Sequence, residues 1–494
     1  MKGRKGASSD QEYVNYAKDI GFVAATTVAI SLLGFITLPI LTKWLGSYLY
    51  GTWSLIQTTI LLITPLAALG LPTAVLRFLS AERDPDRIRE GFLSAVLTIS
   101  SAGTFLCLIL ILCSDFLASS IFGDRSSSHF IKFASSLVLI EALSRVALVF
   151  FRTFRQIKAY ATLLLSKAVI QLGLTVAFLL LGWSLDGVII AFLISGALVV
   201  GISLSLALRR IGFQFPKFTE IKGYLKFGVP LIPNVAILWV ILFSDRYMIG
   251  YFLEVNDVGI YAAGYSLANL VSFYLGPLGM VLYPTVSKLY DEGKIAETKT
   301  YLKYSLKYLM MLSIPSAFGL SILALPLLRI LTTLEFTSGS SVLPLLASGL
   351  VAYSFYQVCL YIIRLVKKTQ LEAYLLGISA TLNIGLNLLL IPRMGILGAA
   401  VGTLVAYGAL GVLTILVSFR YLRFDIGIFF ITKSILASAM MLPFIKLLDP
   451  CSVAEVIISI IFGGIIYFVV LFLLKGFNKA ELLLAKDILL SYKF

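Results

Sequence analysis

The sequence predicts an all-α integral membrane protein of about 14 transmembrane helices, built as two parallel six-helix repeats forming facing lobes plus two C-terminal helices. Three observations carry that expectation: long apolar stretches that recur along nearly the whole chain, the placement of the basic residues, and an internal repeat. Of the 494 residues, 59% are hydrophobic and only 13% charged, with mean hydropathy +0.97. A hydrocarbon core about 30 Å thick needs roughly 20 apolar residues in a helix, because every backbone N–H and C=O must be satisfied within the segment.

The expected spans are 20–42, 48–71, 92–114, 131–151, 161–182, 187–208, 227–250, 259–286, 305–328, 341–363, 371–391, 395–418, 426–447 and 454–474. The opening MKGRKGASSD is basic, but the apolar run after it is about 23 residues, longer than the core of a signal peptide, so it is expected to stay as a membrane helix. Residues 11–19 read as an amphipathic lead-in on the membrane surface, making 1–19 a cytoplasmic or interfacial segment.

A net charge of +15 would raise nucleic acid as a partner for a soluble chain, but here the cations follow topology. With both termini in the cytoplasm, the outer segments carry only Lys43, Arg125, Lys132, Arg329, Arg393 and Lys446. The inner segments carry most of the rest, among them Arg83, Arg87 and Arg89, Arg152, Arg155 and Lys158, and Lys288 through Lys303. That bias sets orientation, so no nucleic acid is implied.

The repeat aligns Leu185-Asp186-Gly187-Val188 with Ile396-Leu397-Gly398-Ala399, Arg209 with Arg420, Phe213 with Phe424 and Lys18-Asp19-Ile20-Gly21 with Leu225-Lys226-Phe227-Gly228. The motif around Tyr50-Gly51 falls near Gly259-Ile260-Tyr261. Six helices per copy put both copies into the membrane from the same side, the parallel arrangement of transporters that rock two bundles around a central cavity. The expected parts are a first lobe over 20–210, a cytoplasmic linker over 211–226, a second lobe over 227–420, two added helices over 421–475 and a cytoplasmic tail over 476–494.

Catalytic chemistry has little to stand on. The single histidine, His129, is expected in an outward loop, so no histidine acid/base pair or metal cluster can be assembled. No GxxxxGK[ST] sequence exists, and Cys107, Cys113, Cys359 and Cys451 form no CxxC and read as small packing residues. No cofactor, no metal and no catalytic residue is expected.

Charges lodged inside apolar spans are costly and usually face a cavity or a partner. Glu141 and Arg145 lie one helical turn apart and can pair, and Lys167 stands in the next span, in the same half of the membrane as Arg145. Asp245 and Arg246 are adjacent near the outer end of the seventh span, and Arg77 follows Gly70-Leu71-Pro72. In the second repeat, Glu141 and Arg145 fall on Tyr353 and Gln357, and Asn234, Asn269, Asn383 and Asn387 add neutral polar groups. A cationic wall opposite a Tyr/Asn/Gln wall suits a ligand that joins an anionic group to a hydroxyl-rich one.

Several segments resemble a known family. Leu45-Gly46, Tyr50-Gly51-Thr52, Gly70-Leu71-Pro72 through Arg77, Phe227-Gly228-Val229-Pro230-Leu231, Asp245-Arg246-Tyr247-Met248-Ile249-Gly250, Val258-Gly259-Ile260-Tyr261 and Ile391-Pro392-Arg393-Met394-Gly395 through Ala400 run in the order found in the polysaccharide-biosynthesis flippases. These belong to the multidrug/oligosaccharidyl-lipid/polysaccharide exporter superfamily. The resemblance implies a V-shaped pair of six-helix lobes that flips a polyprenyl-phosphate-linked oligosaccharide from the inner to the outer leaflet of the cell membrane. It places Arg77, Asp245 and Arg246 in family motifs, whereas Glu141, Arg145 and Lys167 rest on their intramembrane charge alone.

The partners so implied are the lipid-linked oligosaccharide and membrane lipid. Glycosyltransferases or a polymerase of the same pathway are compatible with it but specified by no residue, and neither is a coupling ion. Two rival classes remain at this stage: a cation-coupled multidrug exporter of the same superfamily, which should favour an acidic, aromatic cavity, and an integral-membrane glycan polymerase or ligase, which normally carries a large outward loop.

Overall fold

The computed structural model describes residues 3–478 and Glu481, with side chains from Gly21 onward. The side chains of the 11–19 lead-in and most of the 476–494 tail therefore lie outside the described part. Among the described residues, thirteen helices are long and apolar enough to cross a membrane. The fourteenth expected span is contained in the first of them. Helix α1 (Gly3–Ala68) has a membrane-competent part of 48 residues, Gly21–Ala68. At 1.5 Å per residue that is about 70 Å, more than twice the hydrocarbon core. It is interrupted at Gly46, whose φ of 68° and ψ of −179° lie outside the helical region and are open to glycine. The kink separates the two expected spans.

The surface is inverted relative to a soluble protein. Leu112, Leu180, Phe429, Leu447 and Leu473 are among the most exposed side chains, as lipid-facing helices require.

The chain divides into two compact units, Met1–Ala262 with Asn387–Ile396, and Ala263–Leu386 with Leu397–Phe494. The division runs through α10 (Val255–Ala268) and does not follow the expected linker at 211–226.

In the first unit, α1 is followed by α2 (Leu71–Leu79), α3 (Pro85–Ser120), a short α4 (Ser128–Ala134), α5 (Ser136–Thr153), α6 (Ile157–Leu180) and α7 (Ser184–Ile211). Then come α8 (Ile221–Gly228), α9 (Ile232–Phe252) and the first turns of α10. His129 stands on α4 and not in an open loop, with Nε2 3.0 Å from Asp186 Oδ1.

Glycines explain why α8 to α10 pack with the first span pair. A Cβ on Gly51 would collide with the carbonyl oxygen of Val255, and one on Gly259 with that of Ser47. Gly70, at φ 67°, meets the backbone of Gly228 in the same manner. Small residues let backbones approach this closely in a membrane, where there is no hydrophobic drive to hold helices together. Across the same face, Trp239 Nε1 donates to the Thr58 carbonyl at 2.9 Å and Ser47 Oγ donates to Asn256 Oδ1 at 3.0 Å.

The second unit contains the end of α10, α11 (Leu275–Asp291), α12 (Ile295–Ile322), α13 (Ala324–Leu331), α14 (Leu343–Leu365), α15 (Thr369–Met394), whose last residues belong to the first unit, and α16 (Ile396–Ser418). Its last helices are α17 (Ile428–Leu448) and α18 (Val453–Leu473). Leu302, Leu306, Leu309, Met310 and Ile314 of α12 form a core with Val358, Cys359 and Ile362 of α14. The two helices beyond the repeat are integrated into this unit. Tyr467 of α18 donates to the Met311 carbonyl at 2.9 Å, and its hydroxyl lies 2.8 Å from Ser434 Oγ of α17. A capping box at Ser452 and Glu455 starts α18.

Candidate functional site: a cationic cavity in the first unit

Helices α2, α5 and α6 enclose an open cavity of about 320 Å³. Helix α5 presents Glu141, Ser144, Arg145, Leu148, Val149 and Arg152 to it, steps of three and four residues that trace one stripe of a helix. Helix α6 adds Tyr160, Leu164 and Lys167 with the same periodicity, and α2 closes the third side with Pro72, Thr73 and Leu76. Three cations, Arg145, Arg152 and Lys167, thus share the cavity with a single carboxylate, Glu141.

The pairing differs from the one that the sequence suggested. Glu141 does not close on Arg145 one turn below; its Oε1 lies 2.6 Å from Lys167 Nζ on α6, with side chains only 27% and 15% exposed. A helix-to-helix pair at this distance neutralises two groups that would be costly alone in an apolar setting. Arg145 is left exposed to the cavity. Arg145 and Lys167, expected to act together, are brought together.

Arg152 was read in the sequence only as an orienting charge. It extends the stripe of Arg145 by two helical turns, and this spacing was the available signal. Its guanidinium lies 5.5 Å from the Tyr160 ring, and no carboxylate pairs with it among the described residues. The repeat shows what a neutralised version looks like. The register that carries Glu141 to Tyr353 and Arg145 to Gln357 also carries Arg152 to Arg364 and Tyr160 to Glu372. There, Glu372 holds Arg364 in a two-pronged ion pair at 2.7 and 3.1 Å. The first repeat puts an aromatic ring where the second puts the counter-charge. Tyr353 and Gln357 bond each other at 2.7 Å, and Tyr353 packs on Tyr407 in the second unit.

The remaining candidates lie elsewhere. Arg77, at the end of α2, is not among the residues that line the cavity. Its guanidinium sits 4.4 Å over the Phe227 ring of α8, beside stacked Phe78 and Tyr224. Asp245 and Arg246 are buried, 1% and 6% exposed. Asp245 accepts from the Tyr261 hydroxyl at 2.6 Å and from the Arg246 N–H at 2.8 Å, and the Arg246 guanidinium lies 5.0 Å from the Phe243 ring. This pair joins α9 to α10 and does not line the cationic cavity. Among the described residues no group of three His, Cys, Asp or Glu could hold a metal ion.

An open cavity with a net positive wall and Ser, Thr and Tyr hydroxyls can hold a multiply charged anion by charge-assisted hydrogen bonds.

The sequence pattern of the family described as polysaccharide biosynthesis protein matches residues 16–290, and that of the MatE family matches residues 230–389. A probable low-salt glycan biosynthesis flippase, Agl15, of Haloferax volcanii is 22% identical over 88% of this chain and 91% of its own. A probable flippase AglR of the same organism is 26% identical over 33% of this chain and 34% of its own. Among solved structures, a lipid II flippase, MurJ, in an inward closed conformation superposes with a TM-score of 0.76 at 19% identity, covering 92% of this chain and 98% of that one. An inward-facing multidrug resistance MATE transporter of the MOP superfamily gives 0.67 at 16% identity, over 80% and 97%. Since the first of the two family patterns spans more than half of its length, the chain belongs to the polysaccharide biosynthesis protein family.

Proposed function

We propose that this multi-pass membrane protein is a transporter and not an enzyme: a flippase that moves a polyprenyl-phosphate-linked oligosaccharide from the inner to the outer leaflet. The family match and the flippase names of relatives that align along most or part of the chain support the class. The observation that carries the ligand chemistry is the cavity itself, in which Arg145, Arg152 and Lys167 face one carboxylate. A phosphate or pyrophosphate enters from the cytoplasmic side, displaces the Glu141 carboxylate from Lys167 and is held by Arg145 and Arg152. The apolar prenyl chain stays in lipid throughout. As the site opens outward, Glu141 re-forms its pair with Lys167 and the anion leaves. Glu141 therefore acts as an internal stand-in for the cargo's charge and keeps Lys167 neutralised when the site is empty.

Both termini lie in the cytoplasm in this reading, and Arg77, Asp245 and Arg246 act as positioning residues that hold α8 to α10 against α1 and α2. The enzymes that supply and consume such a cargo are glycosyltransferases and a polymerase or ligase. The MatE match over 230–389 favours a second reading, export of small amphipathic drugs. A cavity with this excess of cations disfavours cationic drugs and suits anions.

The test is a cell that depends on this chain for surface glycan. Arg145→Ala combined with Lys167→Ala is expected to abolish the glycan and accumulate lipid-linked oligosaccharide in the inner leaflet. Normal surface glycan in the double variant, or drug resistance lost with glycan intact, would overturn the proposal.

A further inference from the structure

The second unit contains a buried ion pair that the flippase reading does not use. Lys307 on α12 is 8% exposed, on the helix whose Leu302, Leu306, Leu309 and Met310 are core residues of this unit. Its ammonium reaches both oxygens of Glu481, each at 2.6 Å. The same carboxylate accepts from the Tyr308 hydroxyl at 3.3 Å and from the Asn478 N–H at 2.7 Å, and the Phe430 ring stands 4.8 Å from the ammonium. Lys307, Tyr308 and the ring of Phe430 all belong to helices of this unit, whereas the anion that fills the site comes from the chain after its last membrane helix.

The depth of the site indicates its ligand. Lys299, Lys303 and Lys307 lie on one face of α12 at four-residue steps, accompanied by Tyr301, Tyr304 and Tyr308. Lysines with tyrosines mark the headgroup level of a membrane helix. Lys303 is already paired with Asp425 at 2.7 Å. Lys307 is the innermost of the three and is held by the Glu481 carboxylate.

We infer that Lys307 and Tyr308 form a site for the phosphate of a membrane lipid headgroup, and that Glu481 is a built-in competitor that covers it. A phosphate ester presents the same two-oxygen edge as the carboxylate, at the membrane depth where the lysine and tyrosines stand, and its acyl chains remain in the bilayer. When lipid phosphate binds, the Glu481 carboxylate leaves Lys307 and Tyr308; when the phosphate departs, the carboxylate returns. This site is independent of the cavity around Arg145, and the inference holds whether or not the cargo assignment does.

The test uses the full chain in nanodiscs of neutral phospholipid, with short-chain phosphatidic acid as probe, the matching diacylglycerol and inorganic phosphate as controls, and native mass spectrometry as readout. Glu481→Gln is expected to tighten phosphatidic acid binding roughly tenfold, by removing one charge-assisted competitor. Lys307→Met combined with Glu481→Leu replaces the pair by apolar groups, keeps the fold and abolishes the added binding. Lys307→Arg with Glu481→Gln retains it. Equal affinity of wild type and Glu481→Gln, binding that survives the apolar pair, or inorganic phosphate competing as well as the lipid would each overturn the inference.

Discussion

Replacing Glu141 by Gln separates a carboxylate that competes with the cargo from one that merely props up Lys167. In the structure, Glu141 Oε1 is 2.6 Å from Lys167 Nζ, with both side chains largely removed from solvent. An arriving phosphate must break that bond before it can use the lysine. A hydrogen bond to a charged group contributes about 1.5–3 kcal/mol net. The glutamine keeps the shape and loses the charge, so most of that cost disappears from binding and reappears as slower release. The affinity for a pyrophosphate-headed prenyl lipid is expected to rise by roughly 10- to 150-fold, while turnover falls. The assay is equilibrium binding of a labelled farnesyl pyrophosphate to the protein in nanodiscs, alongside single-turnover flipping. Binding that weakens or stays within about twofold in Glu141→Gln would refute the displacement mechanism and leave Glu141 as a support for Lys167.

Four further outcomes follow from the geometry. Arg152→Ala should weaken the same lipid by roughly tenfold and reduce the salt dependence of binding, whereas Arg364→Ala should leave affinity unchanged because Glu372 already occupies that arginine. Gly51→Ala should lower thermal stability in detergent by at least about 3 kcal/mol, since its Cβ meets the Val255 carbonyl, while Gly173→Ala, with nothing within 4 Å, should be neutral or stabilising. Tyr261→Phe should cost about 1–3 kcal/mol of stability by removing a buried donor to Asp245, without changing lipid affinity. Asp425, outside the spans, has its pKa lowered chiefly by Lys303 and then by the Gly427 N–H. Its stabilising effect is therefore complete above the ordinary carboxylate pKa and lost as pH falls through the lower, folded value. Asp425→Asn should flatten thermal stability against pH in that acid window and nowhere near neutrality.

The membrane architecture was legible because it follows from one requirement, continuous backbone satisfaction in hydrocarbon, which leaves long apolar runs on the page. Each expected span overlaps a helix of the structure, though ends such as those of α3 (Pro85–Ser120) and α12 (Ile295–Ile322) differ by up to ten residues, and the one merged pair is divided at Gly46, a glycine in an expected break. The motif glycines were quoted only as sequence resemblance; the structure shows a physical reason for Gly51, Gly70, Gly228 and Gly259, which is backbone contact. Such contacts join residues roughly 160 to 210 positions apart, which periodicity cannot report, and they are why the compact units divide within α10 and not at the linker.

The site was half legible. Intramembrane charge singled out Glu141, Arg145 and Lys167, because apolar neighbours make a charge conspicuous. The partner of Glu141 was misjudged because helical spacing reveals only neighbours on the same helix, and Lys167 approaches from the next one. Arg152 was passed over since, at a span end, an arginine that orients the helix and one that lines a cavity look alike. Lys307 escaped notice for a similar reason: it continues the Lys299–Lys303 series of a helix end, and its partner lies 174 residues away.

The central claim is that positive charge in the α2–α5–α6 cavity carries an anionic lipid across the bilayer. Its most direct test is a proteoliposome assay with a lipid-pyrophosphate-linked oligosaccharide whose sugar is detected by an external glycosidase. Wild-type protein is expected to expose the sugar on the far leaflet in a time-dependent manner. The combined Arg145→Ala, Arg152→Ala and Lys167→Ala variant, folded by its thermal transition, should match empty liposomes. Flipping by that variant at the wild-type rate would contradict the account.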